Sequence, residues 1–315
     1  MFEKIPVPTP FQVGDVNSYV VGDTLVDPGP ATDKAREALE EGLDGQDIQH
    51  VLITHPHPDH FGLACEFREK GAEIVGSRET TRIISDFQAQ LEREQEFFEP
   101  FFVDNGMPEG EAETVVQLPE AFLNVAPDSN VDKVVEEGDA FEVNGTEMEV
   151  MEADGHAEGE LVFSYEHEGT DYAVVGDQVL SNISPNPFLQ PPLPESDSNE
   201  RPRVLPSYNE SLQRIRDAEF DVLLAGHRDK INQPRARIND ILREHDERTA
   251  EVREIVSEPM TAFDVMCELF GDLPLTEYFP GMSEAVGHLD VLEERGEVEV
   301  WKDEDDGVIL YSSSV

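Results

Sequence analysis

The chain has 315 residues, room for one large domain or two unequal ones, and 38% of them are hydrophobic, enough to close a core. Twenty-two basic residues against 70 acidic ones give a formal net charge of −48. A phosphate-tracking, nucleic-acid-binding surface needs basic clusters, which such a balance argues against, and the longest apolar runs are far too short to span a bilayer. The opening MFEKIPVPTP has no basic segment followed by an apolar one, so a cytoplasmic location is expected.

The first elements read as strands. Ser18–Val21 and Thr24–Val26 are short β-branched runs separated by the turn pair Gly22-Asp23, and Asp27-Pro28-Gly29-Pro30 stops the second. Thr32–Glu41 carries Ala35, Ala38 and Leu39 at helical spacing, with Gly42 as its expected end. His50–Thr54 predicts a strand, Phe61–Lys70 a helix closed by Gly71, and Glu73–Val75 a further strand. Residues 78–118 read as a helical insertion. Arg78–Phe98 places Ile83, Ile84, Phe87 and Leu91 in register, and Phe97, Phe98, Phe101 and Phe102 follow. These aromatics would pack on the body of the domain or in a homodimer, or form a lid.

Beyond residue 130, Glu147–Met151, Leu161–Tyr165 and Tyr172–Val175 are strand-like. Ser181–Ser207, rich in Pro, Ser and Asn, reads as a long loop; Leu212–Ala218 as a helix; Val222–Ala225 as a strand; and Pro234–Val256 as an exposed connecting helix. The tail has its own pattern. Thr261–Phe270 is an apolar helix ended by Gly271, and Ser283–Arg295 is a second helix with Ser283 as N-cap. Glu297–Lys302 and Val308–Ser312 form a hairpin across an acidic turn ending in Asp306-Gly307. Helices followed by a hairpin resemble a winged helix.

The chemistry concentrates in Thr54-His55-Pro56-His57-Pro58-Asp59-His60. Pro56 and Pro58 forbid a continuous helix and force an extended path, from which the imidazoles can converge at the turn. Neutral imidazole suits Zn²⁺, Fe²⁺ and Mn²⁺, and the carboxylate adds charge and a bridging option. His156, Asp177 and His227 each follow a predicted strand, and each sits beside a glycine: Gly155, Gly176 and Gly226. Ligand-type residues at the ends of several strands are what one shared site at a sheet edge requires. His50, His167 and His288 read as ordinary packing or surface histidines, and His245 as a member of a structural ion pair, with a catalytic role as the alternative. Cys65 and Cys267 belong to no Cys/His ligand pair and read as buried thiols in a reducing cytosol.

THPHPDH resembles the T-H-x-H-x-D-H motif of the metallo-β-lactamase superfamily, and Gly155-His156, Gly176-Asp177 and Gly226-His227 are similar to its later ligand motifs in the same order. Asp27, in LVDPG, is similar to the early aspartate that steadies the metal loop. The resemblance covers residues of about 15–245 and implies an α+β chain folded as a four-layer αββα sandwich. It implies two divalent metal ions, zinc first and Fe or Mn as alternatives. His55, His57 and His156 would hold one, Asp59, His60 and His227 the other, and Asp177 would bridge them. A metal-bridged hydroxide would then attack a small thioester, ester or related substrate, with Asp59 as the catalytic carboxylate. Pro191–Leu212, Arg235/Arg237 and His245 in REHDERT resemble the branch with a small C-terminal winged-helix-like domain, so residues 1–250 and 257–315 are the expected domains. Arg228 departs from the family, where many members have Gly, and could bring a cation to the mouth of the site.

Three other readings compete. A nuclease of the same fold is disfavoured by the acidic tail and by the short span from Asp177 to His227, which leaves no room for a large inserted domain. A persulfide dioxygenase of the same loop type would use one iron. A binding module without metal would have no use for all seven ligand-type residues. The acidic excess and the scarcity of lysine resemble cytosolic proteins of salt-accumulating halophilic archaea: such a surface repels itself at low salt and is screened at ~1 M, where the Debye length is about 3 Å.

Overall fold

The computed structural model describes residues 2–194, 200–304 and 307–314. Part of the expected loop at 181–207, and Asp306 of the expected acidic turn, lie outside these residues. Two sheets are built from strands between Glu3 and Leu224. The first runs in spatial order β1 (Glu3–Val7), β2 (Val16–Val21), β3 (Thr24–Val26), β4 (His50–Leu52), β5 (Glu73–Gly76) and β6 (Lys133–Val134). β1 to β3 are antiparallel, and β3 to β6 are parallel. The second sheet is the meander β7 (Ala140–Val143), β8 (Thr146–Glu152), β9 (Leu161–His167) and β10 (Thr170–Val174), with β11 (Val222–Leu224) parallel to β10.

The alternating pattern of these strands drives the sheets together. Tyr19, Val26, Leu52 and Val75 from the first sheet and Met148, Val150, Phe163, Val174 and Leu224 from the second share one buried core, as a β-sandwich requires. Helices pack on the first sheet. α1 (Asp33–Leu43) lies on β1 and is capped by the Thr32 side chain. α2 (Pro58–Phe61), α3 (Ala64–Glu69) and α4 (Arg78–Ser85) follow, with α3 on β5.

Two local expectations change here. Gly42 does not end α1; a Cβ there would lie 2.6 Å from Ile5 Cγ2, so this glycine lets the helix approach β1, and Asp44 in the left-handed region (φ 47°) ends the helix. The helix expected at Phe61–Lys70 is broken at Gly62-Leu63, where a Cβ on Gly62 would sit 2.3 Å from the Val125 carbonyl oxygen.

The contacts divide the chain into two compact units. The first comprises residues 1–88, 121–185 and 211–238 and contains both sheets; the second comprises 89–120, 186–210 and 239–315. In the second lie α5 (Phe87–Asp104, from Ala89 onward), α6 (Glu109–Gln117), the start of α7 (Val204–Asp217), most of α8 (Pro234–Ile255), α9 (Ala262–Phe270), α10 (Tyr278–Glu294) and the hairpin β12 (Val298–Lys302)–β13 (Ile309–Ser313). Phe98 and Phe102 are buried here with Val265, Met266, Val286 and Leu289, and both rings meet Phe279 edge-on. The aromatic cluster is therefore core of this unit.

α7 begins at Val204, earlier than expected, because Leu205, Tyr208, Leu212 and Ile215 form one buried stripe at helical spacing. Ser283 is not an N-cap: α10 starts at Tyr278, and the Ser283 hydroxyl, buried in mid-helix, donates to the Phe279 carbonyl at 2.9 Å and accepts from Leu189 N–H at 3.1 Å. Pro280 is tolerated because it falls in the first turn, where its missing N–H has no helical partner to lose. Among the described residues, no helix is long and apolar enough to cross a membrane.

Candidate metal centre

All seven expected ligands come together in the first unit. The parallel pairing of β3 with β4 and of β10 with β11 sends the segments that follow them to a common edge, which delivers Asp27, His55, Asp177 and His227 to one place. The sheets are tied at this edge: Asn17 N–H donates to the Gly226 carbonyl at 2.6 Å, the Tyr19 hydroxyl to the Ala225 carbonyl at 2.7 Å, and Leu161 N–H to the Thr54 carbonyl at 2.8 Å. Pro58 opens α2 at its first position, so Asp59 and His60 project from a first helical turn.

Three groups of ligand atoms lie within 4.8 Å of one another: His55 with His57 and His156; Asp59 with His60 and His227; and His55 with His60 and Asp177. Asp177 faces both of the first two. Its Oδ1 lies 3.7 Å from His60 Nε2, and its Oδ2 lies 3.7 Å from His156 Nε2 and 3.4 Å from His227 Nε2. Asp59 Oδ2 lies 3.3 Å from His227 Nε2. Gly226 makes this convergence possible, since a Cβ there would come within 2.4 Å of Asp177 Oδ1 and 2.8 Å of His60 Cε1.

The outer atoms of the rings are committed, which fixes where their lone pairs point. The Asp27 carboxylate accepts from Thr54 N–H at 2.8 Å, the Thr54 hydroxyl at 2.7 Å and His60 Nδ1–H at 2.8 Å. Because the Thr54 proton goes to Asp27, Thr54 Oγ1 accepts from His55 Nδ1–H at 3.0 Å. His227 Nδ1–H donates to the Asp15 carbonyl at 2.8 Å, a group that can only accept. His55, His60 and His227 therefore all turn Nε2 inward. Among the described residues, His60 Nε2, His227 Nε2 and Asp177 Oδ1 are buried with no hydrogen-bond partner. Leaving three such atoms unsatisfied in an interior is costly, and a divalent cation is the ligand this donor set fits.

Charge tells the same story. Burial and then the neighbouring imidazoles push His55 well below its ordinary value and His57 down to about 3. On His60 and His227 burial also opposes charging, but the carboxylates outweigh it: Asp27 and Asp177 for the first, Asp177 and Asp59 for the second. Against burial, His227 and His60 hold the Asp177 carboxyl well below the usual carboxylate range. The carboxylates thus favour positive charge at His60 and His227, the place where a bound metal would supply it.

Sequence reasoning missed Glu160. It is fully buried; its Oε1 accepts from Asp177 N–H at 2.9 Å, and its Oε2 accepts from Gln178 Nε2 at 2.7 Å. The only available signal was its place just before the apolar run of β9. Arg228 is exposed with φ 66°, a left-handed conformation in which glycine is unstrained, and its guanidinium lies 4.0 Å from where a Cβ on Gly14 would sit. Among the described residues, His245 has no carboxylate at ion-pair distance. It is buried in the second unit, its Nδ1 is 2.7 Å from Asn209 Oδ1, and burial and then His288 push it down to about 4, so it is neutral there.

A sandwich with His/Asp clusters of this kind at its strand ends is that of a metallo-hydrolase. The family model described as Metallo-beta-lactamase superfamily matches residues 12–227, which include all seven candidate ligands. The chain is 36% identical over 301 residues to the "Probable metallo-hydrolase YqjP" of Bacillus subtilis, covering 92% of this chain and 91% of that one. It is 29% identical over 145 residues to the hydroxyacylglutathione hydrolase GloC of Haemophilus influenzae, covering 46% of this chain and 55% of that one. A metallo-beta-lactamase family protein from Thermus thermophilus superposes with a TM-score of 0.81 at 30% identity, over 99% of this chain and 98% of that one. The chain belongs to the metallo-beta-lactamase superfamily and is a hydrolase of that family.

Proposed function

We propose that the chain is a two-metal hydrolase of small thioesters or esters, with His55, His57 and His156 holding one divalent ion, Asp59, His60 and His227 the other, and Asp177 between them. Zinc is the first choice, because imidazole and carboxylate in four-coordinate groups suit it. The observation that carries the reading is the position of Asp177, whose two oxygens face histidines of both groups at 3.4–3.7 Å. A single-iron dioxygenase would leave Asp59 and His227 without a purpose.

When bound, a metal pair supplies an acidified water and a Lewis acid for the substrate oxygen. The protein's own part is orientation. Asp27, Thr54 and the Asp15 carbonyl fix which nitrogen of His60, His55 and His227 is free. Asp59 lies at the inner edge, where it can accept a hydrogen bond from the attacking water and hold it in line. The thioester class draws support from the partial similarity to a hydrolase of an acylated glutathione, since an S-acyl glutathione is a thioester.

Two further parts of the reading concern the rest of the chain. The two tail helices and their hairpin form a winged-helix-like module that does not bind nucleic acid. The acidic surface is an adaptation to concentrated salt in the cytoplasm.

The test is a substrate panel of a thioester, an ester, a phosphodiester and a persulfide, run with wild type and Asp59→Asn in high salt. Thioester or ester turnover that falls at least about a hundredfold in the variant supports the reading. Oxidation of the persulfide by a protein holding one iron overturns it.

A further inference from the structure

We propose that Glu160 is the positioning residue of the metal centre, a buried bracket that fixes Asp177 between the two ligand groups and lies against His55. The proposal rests on the two-metal reading above and adds a residue to it. Asp177 is reached by the chain immediately after Gly176, which has φ 48°, and nothing in that turn alone aims its carboxylate. Glu160 supplies the constraint. Its Oε1 accepts the Asp177 backbone N–H at 2.9 Å, and together with Gly226 N–H, which donates to the Gly176 carbonyl of the same peptide at 2.6 Å, it sets the plane from which the Asp177 side chain departs. The same oxygen lies 3.6 Å from His55 Nδ1, on the outer side of a ligand of the first group. Its Oε2 accepts from Gln178 Nε2 at 2.7 Å, and that amide also donates to the Ala153 carbonyl at 2.5 Å.

Glu160 is itself anchored through the backbone. Its carbonyl accepts from Ala153 N–H at 2.9 Å, and the next residue, Leu161, donates to the Thr54 carbonyl at 2.8 Å. The bracket therefore joins the segment before His156, the strand end carrying His55 and the segment carrying Asp177. The fit is tight: a Cβ on Gly176 would lie 2.6 Å from Glu160 Oε1 and 2.9 Å from Thr54 Oγ1. Both donors to Glu160 are neutral amides, so what the site needs from this side chain is reach. Glutamine has that reach; aspartate, shorter by one methylene, does not. Groups that orient metal ligands typically set affinity by ~10–100-fold.

The test measures zinc affinity by chelator competition and the visible absorption of the cobalt(II)-loaded protein in wild type, Glu160→Gln, Glu160→Asp and Glu160→Ala. The expected result is a loss of ~10–100-fold in zinc affinity with an altered cobalt spectrum in Glu160→Asp and Glu160→Ala. Glu160→Gln is expected to stay within about threefold of wild type with an unaltered spectrum, because its amide oxygen can still accept from Asp177 N–H at the same reach while Gln178 keeps its bond to the Ala153 carbonyl. Should Glu160→Ala not fold, the Asp and Gln variants, which keep a polar side chain in place, decide by themselves. A purely structural role would lower the melting temperature of the metal-free protein and leave affinity and spectrum as in wild type, and that outcome overturns the proposal. So does the reverse order, with Asp retaining affinity and Gln losing it, which would make charge the requirement. A wild type that binds no metal would instead remove the two-metal reading.

Discussion

Asp27 Oδ2 is shared between the Thr54 hydroxyl at 2.7 Å and His60 Nδ1 at 2.8 Å, so one carboxylate sets the proton positions of histidines in both ligand groups. Through Thr54 it directs His55; directly, it directs His60. Asp27→Asn should keep the fold, since asparagine tolerates the left-handed backbone found there (φ 51°). The single carbonyl oxygen of an amide can accept at most two of the three bonds that the carboxylate accepts, so zinc affinity should fall by ~10–100-fold. Competition with a chromophoric chelator measures this, and unchanged affinity would show that the histidines hold their orientation without Asp27.

Arg228 occupies a backbone conformation suited to glycine, with φ 66°, and is held there by Asn17 Nδ2 donating to its carbonyl at 2.9 Å and by Lys4 Nζ at 3.3 Å. Its side chain is exposed. Arg228→Gly should therefore stabilise the protein by about 1 kcal/mol, the strain of a left-handed non-glycine residue. Thermal unfolding at fixed salt reads the change, expected as a rise of ~2–4 °C. A fall in melting temperature would mean that the guanidinium contributes packing worth more than the strain.

Much of the site was legible in the sequence, for a physical reason. Metal ligands must converge, and in a sandwich they do so by following strand ends, so THPHPDH, Gly176-Asp177 and Gly226-His227 announce themselves by position as well as by residue type. Gly226 was legible as a neighbour of a ligand, but the reason for it, the approach of Asp177 and His60 to its Cα, exists only in three dimensions. Glu160 was hidden because one glutamate among 70 acidic residues carries no signal until its burial is seen. The Asp15 carbonyl, which orients His227, is backbone and has no side-chain signal at all. In the second unit, Ser283 read as the N-cap of the helix that begins at Tyr278. Pro280 instead occupies a first helical turn, and Gly281 admits Met266, whose sulfur would lie 2.9 Å from a Cβ there.

His245 gives the second unit a predictable acid response. Burial first, then the neighbouring His288, lowers it to about 4 from 6.5, while Glu284, Glu244 and Asp246 pull the other way. A histidine whose folded value is depressed costs nothing above pH 6.5, where both states are neutral. Between 6.5 and about 4 the unfolded chain binds the proton and the folded chain does not, so stability falls with pH across that window. The full loss is about 3 kcal/mol at pH 4. Denaturant unfolding at a series of pH values should show this slope in wild type and a shallower one in His245→Gln. Equal slopes would place the acid sensitivity elsewhere.

The net charge of −48 predicts a dependence on salt. Many carboxylates must lie within ~10 Å of one another, inside one Debye length at 0.1 M, and their summed repulsion competes with a net stability of only about 5–15 kcal/mol. Circular dichroism from ~3 M to ~0.1 M KCl should show loss of structure at the low end, delayed by bound metal, which stabilises only the folded state. Full retention of structure by the metal-free protein at ~0.1 M would show that the acidic surface is not destabilising.

The most direct measurement is the metal content of pure protein titrated with zinc after chelation and dialysis in high salt. Two groups of three ligands, with Asp177 facing both, predict two tightly bound equivalents per chain, and Asp177→Ala should weaken both. One tight equivalent, with Asp59→Ala and His227→Ala binding as wild type does, would contradict the two-metal account.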